Sequence, residues 1–193
     1  MTTAVERFGQ ALGQVIDRTD PMPLGPASPD PDAASMLRGL TVEAAFEGLR
    51  LVDRAMAEAC LAGLWLRAND LDASHRVSQG VDNPTGSYWH AIMHRREPDY
   101  SNARYWFAKV GDHPVYAPLH ERAAALAAEA GPPGPAAFLV EQPAWDPSAF
   151  NDFVEEVIGR GGDVERLALA VQDAEWWLLF EHSFDRATAP GRG

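Results

Sequence analysis

A single cysteine, Cys60, rules out an internal disulfide framework. Basic residues are also scarce: 16 Lys and Arg stand against 28 Asp and Glu, a formal charge of −12. So acidic a chain is a poor match for nucleic acid or anionic membranes. No run of about 18 apolar residues occurs, so a membrane span is not expected. The start, MTTAVERFGQALGQVIDR, carries acids and has no basic head before a continuous apolar stretch. It does not read as a signal peptide, and the expected location is the cytoplasm. The glycine-rich phosphate loop and the dinucleotide fingerprint are both missing, so neither ATP nor NAD is expected as cofactor. Convincing strand pairs are lacking too; FLV at 138–140 is the one short β-like run.

Helical periodicity is abundant. Residues 3–18 place Val5, Phe8, Leu12 and Val15 at helical spacing. Residues 19–34, with five prolines, forbid a helix and read as an extended linker. From a Thr41 cap, residues 41–70 read as one long helix with Phe46, Leu49, Val52 (or Asp53), Met56, Cys60 and Leu64 recurring along one face. Residues 69–86 are dense in turn formers and read as a polar loop. A helix then starts near Pro84 and stops at Glu97, because Pro98 disfavours α geometry before it. A short helix capped by Asp99 or Ser101 runs to Lys109, and LHERAAALAAEA gives another, ending at Gly131. Residues 131–147 are a second proline-rich connector. Ser148 can cap a helix reaching Gly161, and residues 164–186 form the last long one. The expected fold is all-α: one helical bundle domain over 1–193 with two long helices as scaffold. Alanine-rich faces at 122–130 and 164–174 suit a homodimer as well as a core.

Residues 70–120 stand apart. They hold five Lys and Arg against six acids, so nearly all the net charge lies elsewhere. They also hold five of the six histidines and all four tyrosines. A nearly neutral, His- and Tyr-rich segment in an acidic chain is what a polar pocket in a solvated body looks like. As a helix, 87–97 stacks His90, His94 and Glu97 on one face, beside an apolar stripe of Trp89, Ile92 and Met93. Imidazoles at i and i+4 can share a divalent ion such as zinc, iron or manganese, with Glu97 as third ligand or base. The zinc-protease helix needs Glu right after the first His, and Ala91 sits there. Metal-free catalytic histidines and hydrogen-bonded structural histidines explain the pair as well. His75 and His113 are candidates to complete the site, with His75 as a base oriented by Asp72. Thr85 and Ser87 at the helix start offer an anion site, or simple capping. Arg95, Arg96, Asn102 and Tyr105 can bind a ligand, although an internal ion-pair network accounts equally for an arginine. Ser74 is not expected to be a nucleophile, Cys60 reads as inert, and His182 reads as a partnered core residue.

The stretch from Ser74 to Val115, "SHRVSQGVDNPTGSYWHAIMHRREPDYSNARYWFAKVGDHPV", resembles an uncharacterised family of bacterial and fungal proteins. Those proteins carry much the same WHxIMHRRExDxxNxxYWF…HPV string. The resemblance implies kinship and marks the motif residues; it brings no substrate, cofactor or residue role with it.

Two function classes remain. One is a small enzyme that uses His90, His94, Glu97 and His75, with or without a divalent metal ion. It would perform hydrolysis, elimination or isomerisation on a small anionic or polyhydroxyl metabolite. The other is a noncatalytic ligand-binding or regulatory module built on the same pocket. A helix-turn-helix reading of the two helices around PDYS is disfavoured by the −12 charge.

Overall fold

A computed structural model describes residues 3–131 and 134–189. The fold is all-α. Among the described residues there are twelve α-helices, one 3₁₀ turn (Gly134–Ala136) and no strands, only an isolated bridge between Leu51 and Thr188. The helices are α1 (Ala4–Phe8), α2 (Gln10–Arg18), α3 (Pro31–Leu37), α4 (Val42–Ala45), α5 (Arg54–Arg67) and α6 (Leu71–Gln79). They continue with α7 (Pro84–Arg96), α8 (Tyr100–Val110), α9 (Tyr116–Ala130), α10 (Phe138–Glu141), α11 (Pro147–Val157) and α12 (Gly162–Ala187).

One helix is long. The 26-residue α12 forms the spine, packing against α5, α9 and α11. The second long helix expected over 41–70 is broken. Gly48 takes φ +79°, a conformation costly for other residues, and Asp53 restarts the chain by accepting the Met56 N–H at 3.1 Å. Residues 50–53 instead cross the end of α12, where the Val52 N–H donates to the Ala187 carbonyl at 2.8 Å. That turns Val52 out to solvent. The N-terminal helix also divides, at Gly9.

The first proline-rich connector is no free linker. Met22 and Leu24 are buried, and the carbonyls of Met22 and Pro23 accept from Gln172 Nε2 at 3.3 and 3.0 Å. Gly25 accepts from Arg96 at 3.0 Å. The segment is a strap held by buried polar side chains, and its end turns helical at α3, where Asp30 caps and Pro31 takes the first position. In the second connector, residues 132 and 133 lie outside the described residues, and the β-like FLV is part of a helical turn, α10. Asp146, not Ser148, caps α11; the Ser148 N–H is one of its donors.

The most consequential difference is at 69–86. Asp70 caps Ala73 at 2.9 Å and a nine-residue helix follows, so the polar loop contains α6. Its Ser74 hydroxyl donates to the Ala62 carbonyl at 2.9 Å, tying α6 to α5. Helix α7 lies against α5, α6 and α8. Its approach to α5 is possible because position 63 is glycine: a Cβ there would meet the Trp89 ring at 2.8 Å.

Candidate metal centre

His75 projects from α6; His90 and His94 project one turn apart from α7. Their ring centroids stand 4.7 Å (75–90), 5.4 Å (75–94) and 4.7 Å (90–94) apart. Each ring offers a nitrogen within 4.8 Å of the other two. His90 is 1% exposed and His94 5%, whereas His75 is half-buried. A half-buried third ring leaves one side through which a solute can arrive.

The hydrogen bonds bear on which nitrogens are free. Ser78 Oγ lies 3.3 Å from the His75 carbonyl and 3.1 Å from His90 Nδ1; when it donates its one proton to the carbonyl, it accepts from Nδ1–H. In that arrangement His90 carries its proton on Nδ1 and Nε2 keeps a lone pair. Glu97 Oε2 lies 3.0 Å from His94 Nδ1, and a carboxylate can only accept. His94 is the same tautomer. Asn102 Nδ2 is 3.0 Å from His94 Nε2 but also 3.4 Å from Nδ1. An atom on the lone-pair axis of Nε2 would lie far from Nδ1, so the amide stands beside the ring and leaves that lone pair uncommitted. Imidazoles oriented by a hydroxyl and a carboxylate through Nδ1 are the usual outer shell of a histidine metal site.

Charge agrees with this arrangement. Burial pushes His90 down to about 3, helped by its neighbours His94, His75 and Lys109. Burial also lowers His94, against the opposing pull of the Glu97 carboxylate. Both rings are neutral at pH 7, the form that ligates a metal. With zinc–nitrogen bonds of about 2.1 Å, nitrogens on one ion stand about 3.4 Å apart in a tetrahedron. Separations up to 4.8 Å must close somewhat, and the half-buried His75 side chain is the freest to rotate.

Trp106 covers the other flank, its ring 4.0 Å from that of His90, with Lys109 Nζ 4.3 Å from the Trp106 ring. Trp106 and Lys109 also line a hollow of about 420 Å³ with Gln79, Asn83 and Ser87.

The candidate residues divide into groups. His75, His90, His94, Glu97 and Asn102 come together. Arg95 and Arg96 do not join them, because both are 0% exposed and held by the protein. Arg95 pairs with Glu175 inside the core, and Arg96 donates to the Leu66 carbonyl and Asn69 Oδ1, each at 2.8 Å. Thr85 and His113 form a second cluster. The His113 Nδ1 accepts from the Val115 N–H, so its Nε2–H donates to Thr85 Oγ1 at 3.1 Å. Burial, then the nearby His182 ring at 4.8 Å, lower His113 to about 4. At the start of α7, Asn83 Oδ1 takes the Gly86 N–H at 2.8 Å, so the helix is capped internally. Ser87 faces the Trp106 hollow, and Tyr105 is 56% exposed beneath Lys109. Sequence reading missed Ser78. Ser78 lies three residues after His75, a spacing that has meaning only once 71–79 is a helix. Cys60 is buried, and burial pushes its thiol well above the ordinary range.

No family model, curated protein or solved structure matches this chain.

Replacing Glu97 with Gln keeps the shape but frees the His94 tautomer, since an amide can donate as well as accept. Zinc affinity is expected to fall about 10–100-fold with the fold intact, as outer-shell changes do. Competition against a chromophoric chelator measures it; unchanged affinity would remove Glu97 from the site.

Proposed function

We propose that the protein binds one divalent transition-metal ion through His75, His90 and His94, and uses it in acid–base chemistry on a small molecule. One observation carries this reading: three imidazoles from two helices converge, and the Glu97 carboxylate at His94 Nδ1 favours the tautomer that frees Nε2. Zinc fits the all-nitrogen donor set best, with iron and manganese as alternatives. Three protein ligands leave a fourth position for water or substrate, the pattern of catalytic rather than structural zinc sites. Such an ion supplies Lewis acidity and lowers the pKa of bound water, which suits hydrolysis, elimination or isomerisation. Glu97 holds the His94 proton, and the half-buried His75 side gives access. The motif string of the resemblance, from Trp89 onward, contains His90, His94, Glu97, Asn102 and Trp106.

The second reading is a noncatalytic module that holds the same ion. Trp106 pressed on a nearly sealed His90 favours it. Loading metal-free protein with zinc and assaying simple esters, lactones and phosphate monoesters separates the two. The enzyme reading expects about one equivalent bound and turnover that a chelator abolishes. Bound metal with no turnover supports the module, and no metal uptake contradicts both.

Stability should report the buried rings through pH. His90 and His113 have folded pKa values near 3 and 4, below the unfolded value near 6.5, so the unfolded chain binds more protons in acid. Stability from these groups is complete above about pH 6.5 and declines as pH falls through the folded values, by at most about 1.4 kcal/mol per pH unit per group. Urea midpoints of the metal-free protein from pH 7 to 4 should fall, and less steeply in His90→Asn. Equal slopes would mean that His90 is not held neutral.

A further inference from the structure

Three helix ends meet where α7 carries Thr85. The starts of α5 and α7 face the last turns of α12 around a hollow of about 440 Å³, a volume within the range of small-molecule sites. His182 and Arg186, at i and i+4 on α12, put an imidazole and a guanidinium on one wall. Arg186 is exposed and takes part in no ion pair among the described residues. His182 is half-buried; neither ring nitrogen has a hydrogen-bond partner among the described residues, and neither is sealed from solvent. Behind it stands the buried His113 ring, 4.8 Å away, whose Nε2–H is committed to Thr85 Oγ1. Thr85 therefore keeps its own hydroxyl proton to donate, and no group among the described residues accepts it. The Thr85 backbone N–H is also without a partner among the described residues, because Pro84 opens α7 and Asn83 Oδ1 is taken by Gly86.

We propose that this hollow is a second binding site, for a small amino acid in its zwitterionic form. The donors call for a carboxylate. Arg186 can take both oxygens in a fork, His182 can add an N–H, and the start of α7 presents its positive end. The acids of the wall call for an ammonium group. Asp112 lies on the rim without an ion pair among the described residues. Asp53 lines the wall too, with one oxygen occupied by the Met56 N–H. Burial first, then the Arg186 charge, hold His182 below the ordinary histidine range, so both histidines here are neutral at pH 7. Two carboxylates then stand against one guanidinium, a balance that disfavours a simple anion and suits a ligand carrying both signs. Met56 and Pro114 supply apolar wall for a short side chain. The site is independent of the metal centre: no histidine of the triad lines it.

Nuclear magnetic resonance of the full chain, labelled with ¹⁵N at its histidines, tests this, because the His182 ring reports on the hollow. His182→Gln assigns its signals among the six histidines. L-alanine is the probe, and propionate and ethylamine are analogues that each lack one of its charges. A saturable shift of the His182 signals with L-alanine is expected, with affinity about tenfold weaker in Arg186→Gln and in Asp112→Asn, as the loss of one charge-assisted hydrogen bond predicts. Both positions are exposed, so neither substitution disturbs the fold. His182 signals that do not move, or variants that respond as the unaltered chain does, would overturn the site. An equal response to propionate or to ethylamine would overturn the ligand class. None of these results depends on whether the triad binds metal.

Discussion

His90→Asn and His94→Asn should each lower zinc affinity by two to three decades while the helical content stays intact. Structural zinc sites are worth about 10–16 kcal/mol, and an even split over four ligand positions gives roughly 2.5–4 kcal/mol per ligand. Both rings are buried and held through Nδ1, His90 by Ser78 and His94 by Glu97, so losing one removes a ligand that needs little reorganisation to bind. His113→Asn is the control. It deletes an equally buried imidazole that belongs to the Thr85 cluster, and zinc affinity should not change. Chelator competition reads the affinity and circular dichroism the helix content. If the His113 variant lost affinity as the others did, the effect would come from general loosening of the bundle.

The second large effect concerns the core. Arg95 and Glu175 are both fully buried and paired, with Tyr88 Oη donating to Glu175 Oε1 at 3.0 Å and Arg95 donating to Gln172 Oε1 at 3.3 Å. The guanidinium lies 4.8 Å from the Phe150 ring. Glu175→Leu leaves that cation in an apolar setting and should cost about 3–5 kcal/mol, because a lone buried charge has nothing to offset its lost hydration. Arg95→Met alone strands the carboxylate at similar cost. The double variant should recover most of the loss, since neither charge then remains. Urea unfolding of the four proteins gives the coupling. Strict additivity would show that the two groups do not interact as described. The pair joins α7 to α12, so it also fixes the direction in which α7 presents His90 and His94.

Much of this was legible from residue spacing. The i, i+4 histidines followed by Glu97 need only the pitch of a helix, and Pro84 and Pro98 bracket that helix. His75 was identified as a partner, but within a loop. Eighteen residues rich in Asp, Ser, Asn and Gly conceal α6, because those same residues cap helices as readily as they make turns. The Gly48 break is a tertiary decision: periodicity runs through it, and the hydrogen bonds to the end of α12 stop it. Arg95 and Arg96 look like ligand binders in a polar string. Their partners, Glu175 and the strap carbonyl of Gly25, are 80 and 71 residues away in the chain, beyond any local pattern.

X-ray absorption at the zinc edge of the loaded protein tests the central claim most directly. It should show three imidazole nitrogens at about 2.0–2.1 Å plus one light oxygen ligand, falling to two imidazoles in His75→Ala. A first shell of oxygen alone, or one that does not change when His75 is removed, would contradict the account.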